Sequence, residues 1–174
     1  LLAAISGLEI DNVLIDIDNE EVPILDGSAQ LFVDKLNSVG TTEQKSSRSY
    51  LVIKEPITVK DENGNVELTI SPAQEYNATV MIDYGSKVLG TQHARLNSIK
   101  DFSLDFANSR TFVFFHELEA LHNAGLVRGG DVDNALVVVE DDVDQDQLDH
   151  LAQLFSKEKI EVKKGFLSNV ELRN

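Results

Sequence analysis

The stretch from Arg110 to Val139, RTFVFFHELEALHNAGLVRGGDVDNALVVV, constrains the fold of this chain most strongly. An Arg-Thr-Phe triplet leads into an amphipathic helical pattern, which a double-glycine turn at Gly129 and Gly130 follows. The run Asn134–Val139 is continuously apolar and rich in Val, which is typical of a strand buried on both faces. This order of parts predicts a β-α-β unit.

Helical and strand patterns alternate along the rest of the chain and predict an α+β fold. The segment Asn12–Asp18 alternates apolar and polar residues, which indicates a half-buried strand. The sequence PILDGSA at 23–29 predicts a turn in which Asp26 or Ser28 caps the following helix. That helix has apolar residues at i, i+3, i+4 and i+7 and ends at Gly40.

The second half of the chain is richer in strand patterns. Strands are predicted at Tyr50–Ile53, Ile57–Lys60, Val66–Ile70, Ala78–Tyr84, near Ile160–Val162 and at Asn169–Leu172. Helical tendency covers Asp101–Gly125 and Gln147–Phe155. The pair Asn63-Gly64 favours a tight hairpin turn.

The polar segment Thr41–Arg48 is the best candidate for a linker. It predicts two small α+β units, the first at residues 1–44 and the second at 48–174. The second unit would carry an insert at about 106–139 and be truncated at its C-terminus, because both ends of the chain read as cuts within elements.

Composition excludes several functional classes. The 174 residues carry a formal net charge of −15 at pH 7, and nucleic-acid binding requires a basic face. The chain has no cysteine, so a disulfide framework or a Cys-ligated metal site is ruled out. The longest apolar runs are far shorter than the roughly 20 residues that a transmembrane helix needs.

Two apparent metal motifs fail on spacing. His116-Glu117 begins like H-E-x-x-H, but the next histidine, His122, is six positions later. That spacing turns about 240° around a helix and puts the rings on different faces. The acidic run Glu140–Asp149 lacks the Gly and Glu that a calcium loop requires; it predicts a solvated loop that caps the next helix.

The glycine turn and the triplet leave alternatives open. By spacing alone, Gly129-Gly130 favours a plain helix-to-strand turn over a ligand-binding turn. By residue type alone, Thr111 is a capping residue and Phe112 a core residue, although a strand-to-helix junction is a common place for ligand-facing side chains.

Together, the RTF-to-VVV stretch, PILDGSA and GLEIDNVLIDID at 7–18 resemble the zinc-dependent UDP-3-O-acyl-N-acetylglucosamine deacetylases of lipid A synthesis. The resemblance implies two β-sheet/α-helix layers with the active site at their junction, and a β-α-β insert that forms a passage for the acyl chain. It also implies a cytoplasmic enzyme. The acidic connection Glu140–Gly165 resembles the variety that is fused to a hydroxyacyl-carrier-protein dehydratase.

The resemblance also assigns roles to residues. It makes the Thr111 hydroxyl a hydrogen-bond donor to the oxyanion and places the Phe112 ring on the glucosamine of a UDP-linked, acylated substrate. The family's Gly-Gly-Ser turn corresponds to Gly129, Gly130 and Asp131, so an aspartate replaces the serine. The implied lining of the acyl passage is Leu118, Leu121, Leu126 and Val127.

The resemblance implies zinc as cofactor, bound by two His and one Asp, with a Glu as general base. The Glu-His pair would precede Leu1, and the H-K-x-x-D ligands would follow the strand that ends near Leu172. None of these residues is in this chain, so we expect these 174 residues alone to be inactive. The alternative is a non-enzymatic α+β module that binds a nucleotide-sugar or a protein through the Arg128–Asp131 turn.

Overall fold

A computed structural model describes residues 1–127 and 129–168 of the chain. The helices are α1 (Leu2–Gly7), α2 (Gln30–Val39), α3 (Phe102–Asp105), α4 (Phe115–Asn123) and α5 (Gln145–Leu154), with a 3-10 turn at Ile99–Asp101. The strands are β1 (Ile57–Lys60), β2 (Glu67–Ile70), β3 (Ala78–Asp83), β4 (Thr91–Leu96), β5 (Phe112–Phe114), β6 (Leu136–Val138), β7 (Val162–Lys163) and β8 (Phe166–Leu167). This arrangement confirms the predicted α+β fold.

The predicted β-α-β unit is present. Strand β5 pairs parallel to β6, with Phe112 opposite Leu136 and Phe114 opposite Val138, and α4 lies between them in sequence. Strand β8 pairs antiparallel to β6 and to β7, which gives a four-stranded sheet in the order β5-β6-β8-β7. In the apolar run that predicted β6, Val137–Val139 are buried and Leu136 is half-buried, which fits a strand with neighbours on both sides.

Helix α5 begins with a capping box. The Asp144 carboxylate accepts a hydrogen bond from the Gln147 backbone N–H at 2.9 Å, and the Gln147 side chain accepts from the Asp144 N–H at 3.1 Å. The prediction that the acidic run caps this helix is therefore confirmed. Helices α4 and α5 pack on the sheet through one core of Leu118, Val132, Val137, Val139, Leu148, Leu151, Ala152, Ile160 and Leu167.

A smaller core joins the N-terminal helices to the α3 region. Ala4, Val33 and Ala107 are buried together, and the aromatic ring of Phe102 lies where a Cβ on Gly7 would be. Helix α2 stops at Gly40, whose φ of 73° and N–H bond to the Leu36 carbonyl match a glycine C-terminus. The predicted helix and its end are thus confirmed.

Two antiparallel hairpins, β1–β2 and β3–β4, lie between these cores in sequence. The predicted Asn63-Gly64 turn connects the first pair, and Gly64 has a φ of 71°. All eight residues of β1 and β2 are exposed, and in β3 and β4 only Ala78 and Leu96 are half-buried. These hairpins are held by their own ladders.

Some predictions of secondary structure are wrong. Asn12–Asp18 and Tyr50–Ile53 have no regular structure, and every residue of the first segment is exposed. Neither pairs with a described strand, and an alternating pattern without a partner does not form a ladder. The helical tendency of Asp101–Gly125 is interrupted by β5, since pairing with β6 overrides local preference.

Other boundaries differ in detail. The residue that caps α2 is Ala29, although the Ser28 hydroxyl accepts from the Gln30 N–H at 3.2 Å. Strands β4 and β8 were not predicted, and the strand expected at Asn169–Leu172 lies outside the described residues. Thr41–Arg48 has no regular structure, and the division into two units around it stays a prediction. No helix in the described ranges is long and apolar enough to cross a membrane.

Candidate functional site

The Arg-Thr-Phe triplet lies at the start of β5. The Thr111 carbonyl accepts a hydrogen bond from the Leu136 N–H at 3.0 Å, so its backbone is fixed by β6 while the residue itself is exposed. Phe112 is half-buried, and its ring makes edge contacts with Tyr84 at 5.1 Å and Phe114 at 5.5 Å between centroids. Thr111 is thus an exposed residue whose backbone is hydrogen-bonded to β6.

The glycine turn is held by one buried asparagine. The Asn134 side chain accepts from the Asp131 N–H at 2.8 Å and donates to the Gly129 carbonyl at 2.9 Å. Gly129 has a φ of 71°, and a Cβ on Gly130 would lie 2.7 Å from a Val127 methyl. Gly129 is therefore favoured by its positive φ, and Gly130 by the lack of room for a side chain beside Val127. The turn joins α4 to β6, as predicted for a plain helix-to-strand turn.

The PILDGSA turn packs directly against this asparagine. A Cβ on Gly27 would lie 1.9 Å from the Asn134 carbonyl oxygen, and Gly27 has a φ of 82°. The Asp26 Oδ1 accepts from the Ser28 hydroxyl at 2.8 Å and from the Ser28 N–H at 3.2 Å, which orders the turn before α2. Two motifs that are about a hundred residues apart in sequence therefore meet at backbone contact distance.

Arg110 connects all three motifs. Its side chain is 7% exposed, and its Nη2 lies 3.9 Å from the Asp26 Oδ2. Its Nη1 donates to the Asp133 carbonyl at 3.4 Å. The triplet, the PILDGSA turn and the glycine turn thus form one cluster.

A lysine closes the other side of the glycine turn. Lys157 Nζ donates to the Asp131 Oδ2 at 2.8 Å and also contacts the Asp133 carboxylate. These hydrogen bonds, first the one to Asp131, raise the pKa of Lys157 above its ordinary value. Asp131 is therefore engaged with Lys157 through one of its carboxylate oxygens.

A cleft of about 710 Å³ opens beside the cluster. Its walls come from the segment 19–24, from α2 and from the α3 region, and they include Gly27, Phe32, Phe106, Ser109 and Gly129. The Ser109 Oγ is buried and has no hydrogen-bond partner among the described residues. Thr111 and Phe112 are not part of this lining, so the cleft touches two of the three motifs.

The four apolar residues proposed for the acyl passage do not share one environment. Leu118 is 4% exposed and belongs to the main core. Leu121 and Val127 are half-buried, whereas Leu126 is 70% exposed. Of these four residues, Leu121, Leu126 and Val127 have exposed surface that could contact a ligand, whereas Leu118 does not.

Among the residues that the structure describes, the histidines do not form a metal site. His116 and His122 are both exposed, and their rings contact Phe114 and Phe155 respectively. In residues 1–127 and 129–168, no three His, Cys, Asp or Glu side chains come together as a metal-binding group. These residues alone therefore do not fit a zinc ion. Arg128, part of the turn that was proposed for nucleotide-sugar or protein binding, lies outside the described residues.

Sequence reasoning missed the residues that assemble the cluster. Asp26 was considered only as a cap, Arg110 was given no role of its own, and Asn134 was treated as the start of a strand. Asp26 directly precedes Gly27 and Arg110 directly precedes Thr111, whereas Asn134 follows the 129–131 turn by three residues. Their contacts, however, join distant parts of the chain.

The chain is similar to known deacetylases over most of its length. The family model LpxC: UDP-3-O-acyl N-acetylglycosamine deacetylase matches residues 1–160. The bifunctional enzyme LpxC/FabZ of Porphyromonas gingivalis is 41% identical over 98% of this chain and 37% of its own length. The enzyme of the same name from Chlorobaculum tepidum is 38% identical over 99% of this chain and 38% of its own length.

A relative with a single-activity name is also similar. The UDP-3-O-acyl-N-acetylglucosamine deacetylase of Syntrophotalea carbinolica is 41% identical over 82% of this chain and 46% of its own length. The chain therefore spans between a third and a half of these curated relatives. The resemblances to the deacetylase and to its bifunctional variety are both confirmed.

Proposed function

Because this chain belongs to the UDP-3-O-acyl N-acetylglycosamine deacetylase family, we propose that its protein hydrolyses the acetamide of UDP-3-O-acyl-N-acetylglucosamine in lipid A synthesis. Water is added across the C–N bond, which releases acetate and leaves a free amine on the sugar. The observation that carries the proposal is the exposed Thr111 at the edge of the cluster, on a backbone fixed by the 3.0 Å bond from Leu136.

Thr111 would stabilise the charge that develops during hydrolysis. The acetyl carbonyl oxygen becomes an oxyanion in the tetrahedral intermediate, and a preorganised hydroxyl donor lowers the energy of that state more than that of the substrate. Phe112 would pack on the glucosamine ring next to this hydroxyl. Gly129, Gly130 and Asp131 would border the substrate, and Leu121, Leu126 and Val127 would contact its acyl chain; Leu118 would support them from the core.

The family resemblance implies a zinc ion, which as a Lewis acid would polarise the acetyl carbonyl and activate water. The resemblance also implies that the protein is cytoplasmic. The proposed zinc ligands would lie outside residues 1–174. A polypeptide of these residues alone should therefore neither bind catalytic zinc nor deacetylate substrate. Elemental analysis of this polypeptide, with its intact mass verified, tests the first point; about one zinc per chain would contradict it.

The role of Thr111 is tested in the complete protein by Thr111→Ala. Removing an oxyanion donor should raise the activation barrier by about 3–4 kcal/mol and lower kcat accordingly. The rate is measured as formation of the free amine. Thr111→Ser should keep most of the activity. Thr69→Ala is the matched control, because Thr69 is an exposed strand threonine whose hydroxyl bonds only Thr58 among the described residues. An unchanged kcat in Thr111→Ala would overturn the assignment.

A further inference from the structure

Arg110 is the most deeply enclosed charged side chain of the cluster. Only 7% of its side chain is exposed, although it directly precedes the exposed Thr111. Removing a guanidinium from water is costly unless it is paired and hydrogen-bonded. A buried arginine at this position therefore needs a structural reason.

The contacts of Arg110 supply that reason. One guanidinium nitrogen faces the Asp26 carboxylate at 3.9 Å, and another donates to the Asp133 carbonyl at 3.4 Å. Its Nε is buried and has no hydrogen-bond partner in the described parts of the chain. The side chain thus contacts two separate loops. Both contacts are long, so a shift of either loop would weaken them.

The partners of Arg110 lie in segments that have hydrogen bonds of their own. The Asp26 carboxylate is oriented by two hydrogen bonds from Ser28. Asp133 lies within the turn that Asn134 and Lys157 hold. Arg110 therefore bridges two hydrogen-bonded segments. Because Thr111 is the next residue, the position of Arg110 constrains the backbone from which the Thr111 hydroxyl projects.

We propose that Arg110 is a positioning residue, which fixes the Thr111 hydroxyl by bridging the Asp26 carboxylate and the Asp133 carbonyl. The inference rests on the proposed function, because it requires Thr111 to act on the substrate. Its role differs from general stabilisation, since loss of Arg110 should matter only as long as Thr111 is present. A small displacement of a reacting group is enough to reduce catalysis strongly.

A double-mutant cycle in the complete enzyme tests the proposal. Arg110→Met should lower kcat by about 10- to 100-fold and leave KM nearly unchanged, because substrate binding does not use the guanidinium. In a Thr111→Ala background the same substitution should change kcat by no more than about twofold, because the hydroxyl that Arg110 positions is already absent and the two losses are therefore not additive. Arg110→Lys keeps the charge but loses the planar fork, so it should lie between wild type and Arg110→Met.

Arg48→Met is the matched control. Arg48 also pairs with carboxylates, at 3.1 Å from Glu9 and 2.7 Å from Asp11, but it contacts none of the three motifs through these bonds. It should leave kcat near wild type. If Arg110→Met does not fold, as judged by circular dichroism and thermal unfolding, Asp26→Asn enters the same cycle, because it removes the charge that faces Arg110.

The outcomes separate this inference from the proposed function. An equal fold-loss from Arg110→Met with and without Thr111, or a loss confined to KM, would overturn the positioning role alone. An unaltered kcat in Thr111→Ala would overturn the proposed role of Thr111 and, with it, the role of Arg110. Strong loss in Arg110→Met and little further loss in the double variant would support both.

Discussion

The β1–β2 hairpin and the β5-β6-β8-β7 sheet contain similar strand-forming residues in very different environments. In the hairpin, Val59 and Leu68 face each other across the ladder and are 62% and 55% exposed. In the sheet, Val137 and Leu167 are 1% and 2% exposed, because α4 and α5 cover them. The hairpin depends on its turn and cross-strand pairs, whereas the sheet depends on contacts between distant segments.

The difference teaches where the chain can hold a site. Cross-strand pairs such as the Thr58–Thr69 hydroxyl contact and the Lys60–Glu67 ion pair contribute little in water, and all four residues are exposed. Burial of apolar side chains stabilises the sheet far more. Thr111 and Arg110 lie at the margin of that sheet, where a fixed backbone can position a side chain.

The largest expected effect comes from deleting a core side chain. Leu167→Ala should lower the free energy of unfolding by about 2–5 kcal/mol, since it leaves a cavity in the main core. Leu68→Ala, also a strand leucine, should change it by no more than about 0.5 kcal/mol. Urea denaturation followed by circular dichroism measures both variants. Equal losses would break the contrast between sheet and hairpin.

A smaller effect separates two glycines with similar backbone angles. Gly64 in the hairpin and Gly27 at the cluster have φ values of 71° and 82°, but a Cβ on Gly64 meets nothing within 4 Å. Gly64→Ala should therefore cost only the strain of positive φ, about 1–2 kcal/mol. Gly27→Ala should cost about 1–3 kcal/mol more, because its Cβ would overlap the Asn134 carbonyl. Thermal unfolding of the two variants gives the comparison; a similar melting temperature would mean that the PILDGSA turn yields without cost.

The smallest effect concerns the ion pairs of Lys157. Lys157→Met should lower stability at pH 7 by about 0–1 kcal/mol, because the pair is partly exposed. The hydrogen bonds to Asp131 and Asp133 raise the pKa of Lys157 above its ordinary value of 10.5. The contribution is therefore fully present below pH 10.5 and is lost as the pH rises through the higher pKa of the folded state.

Denaturation curves of wild type and Lys157→Met from pH 7 to 11 check this sign. The two free energies should converge above pH 10.5, the ordinary pKa of the lysine. Lys60→Met is the comparison for an exposed pair: the hydrogen bond to Glu67 also raises the pKa of Lys60, so its contribution should be lost over the same pH range. A gap between wild type and Lys157→Met that widens at high pH would contradict the assigned cause.

Local features of the molecule were predictable because their causes are local. Asn63-Gly64 specified a hairpin turn, Gly40 ended α2, and the acidic run supplied Asp144 as the cap of α5. Asn12–Asp18 was mispredicted, since its alternating pattern needs a partner strand that no local signal provides. The same limit explains the strand β5, which exists through its pairing with β6.

The sequence by itself determined the family, the α+β class, the β-α-β unit and the motif residues Gly27, Thr111 and Gly129. Only the tertiary structure brought these residues together, through the Gly27–Asn134 contact and the Arg110 bridge between Asp26 and Asp133. The physical reason is separation along the chain. Turns and caps act over a few residues, whereas the cluster depends on packing between segments about a hundred residues apart, which composition and periodicity do not encode.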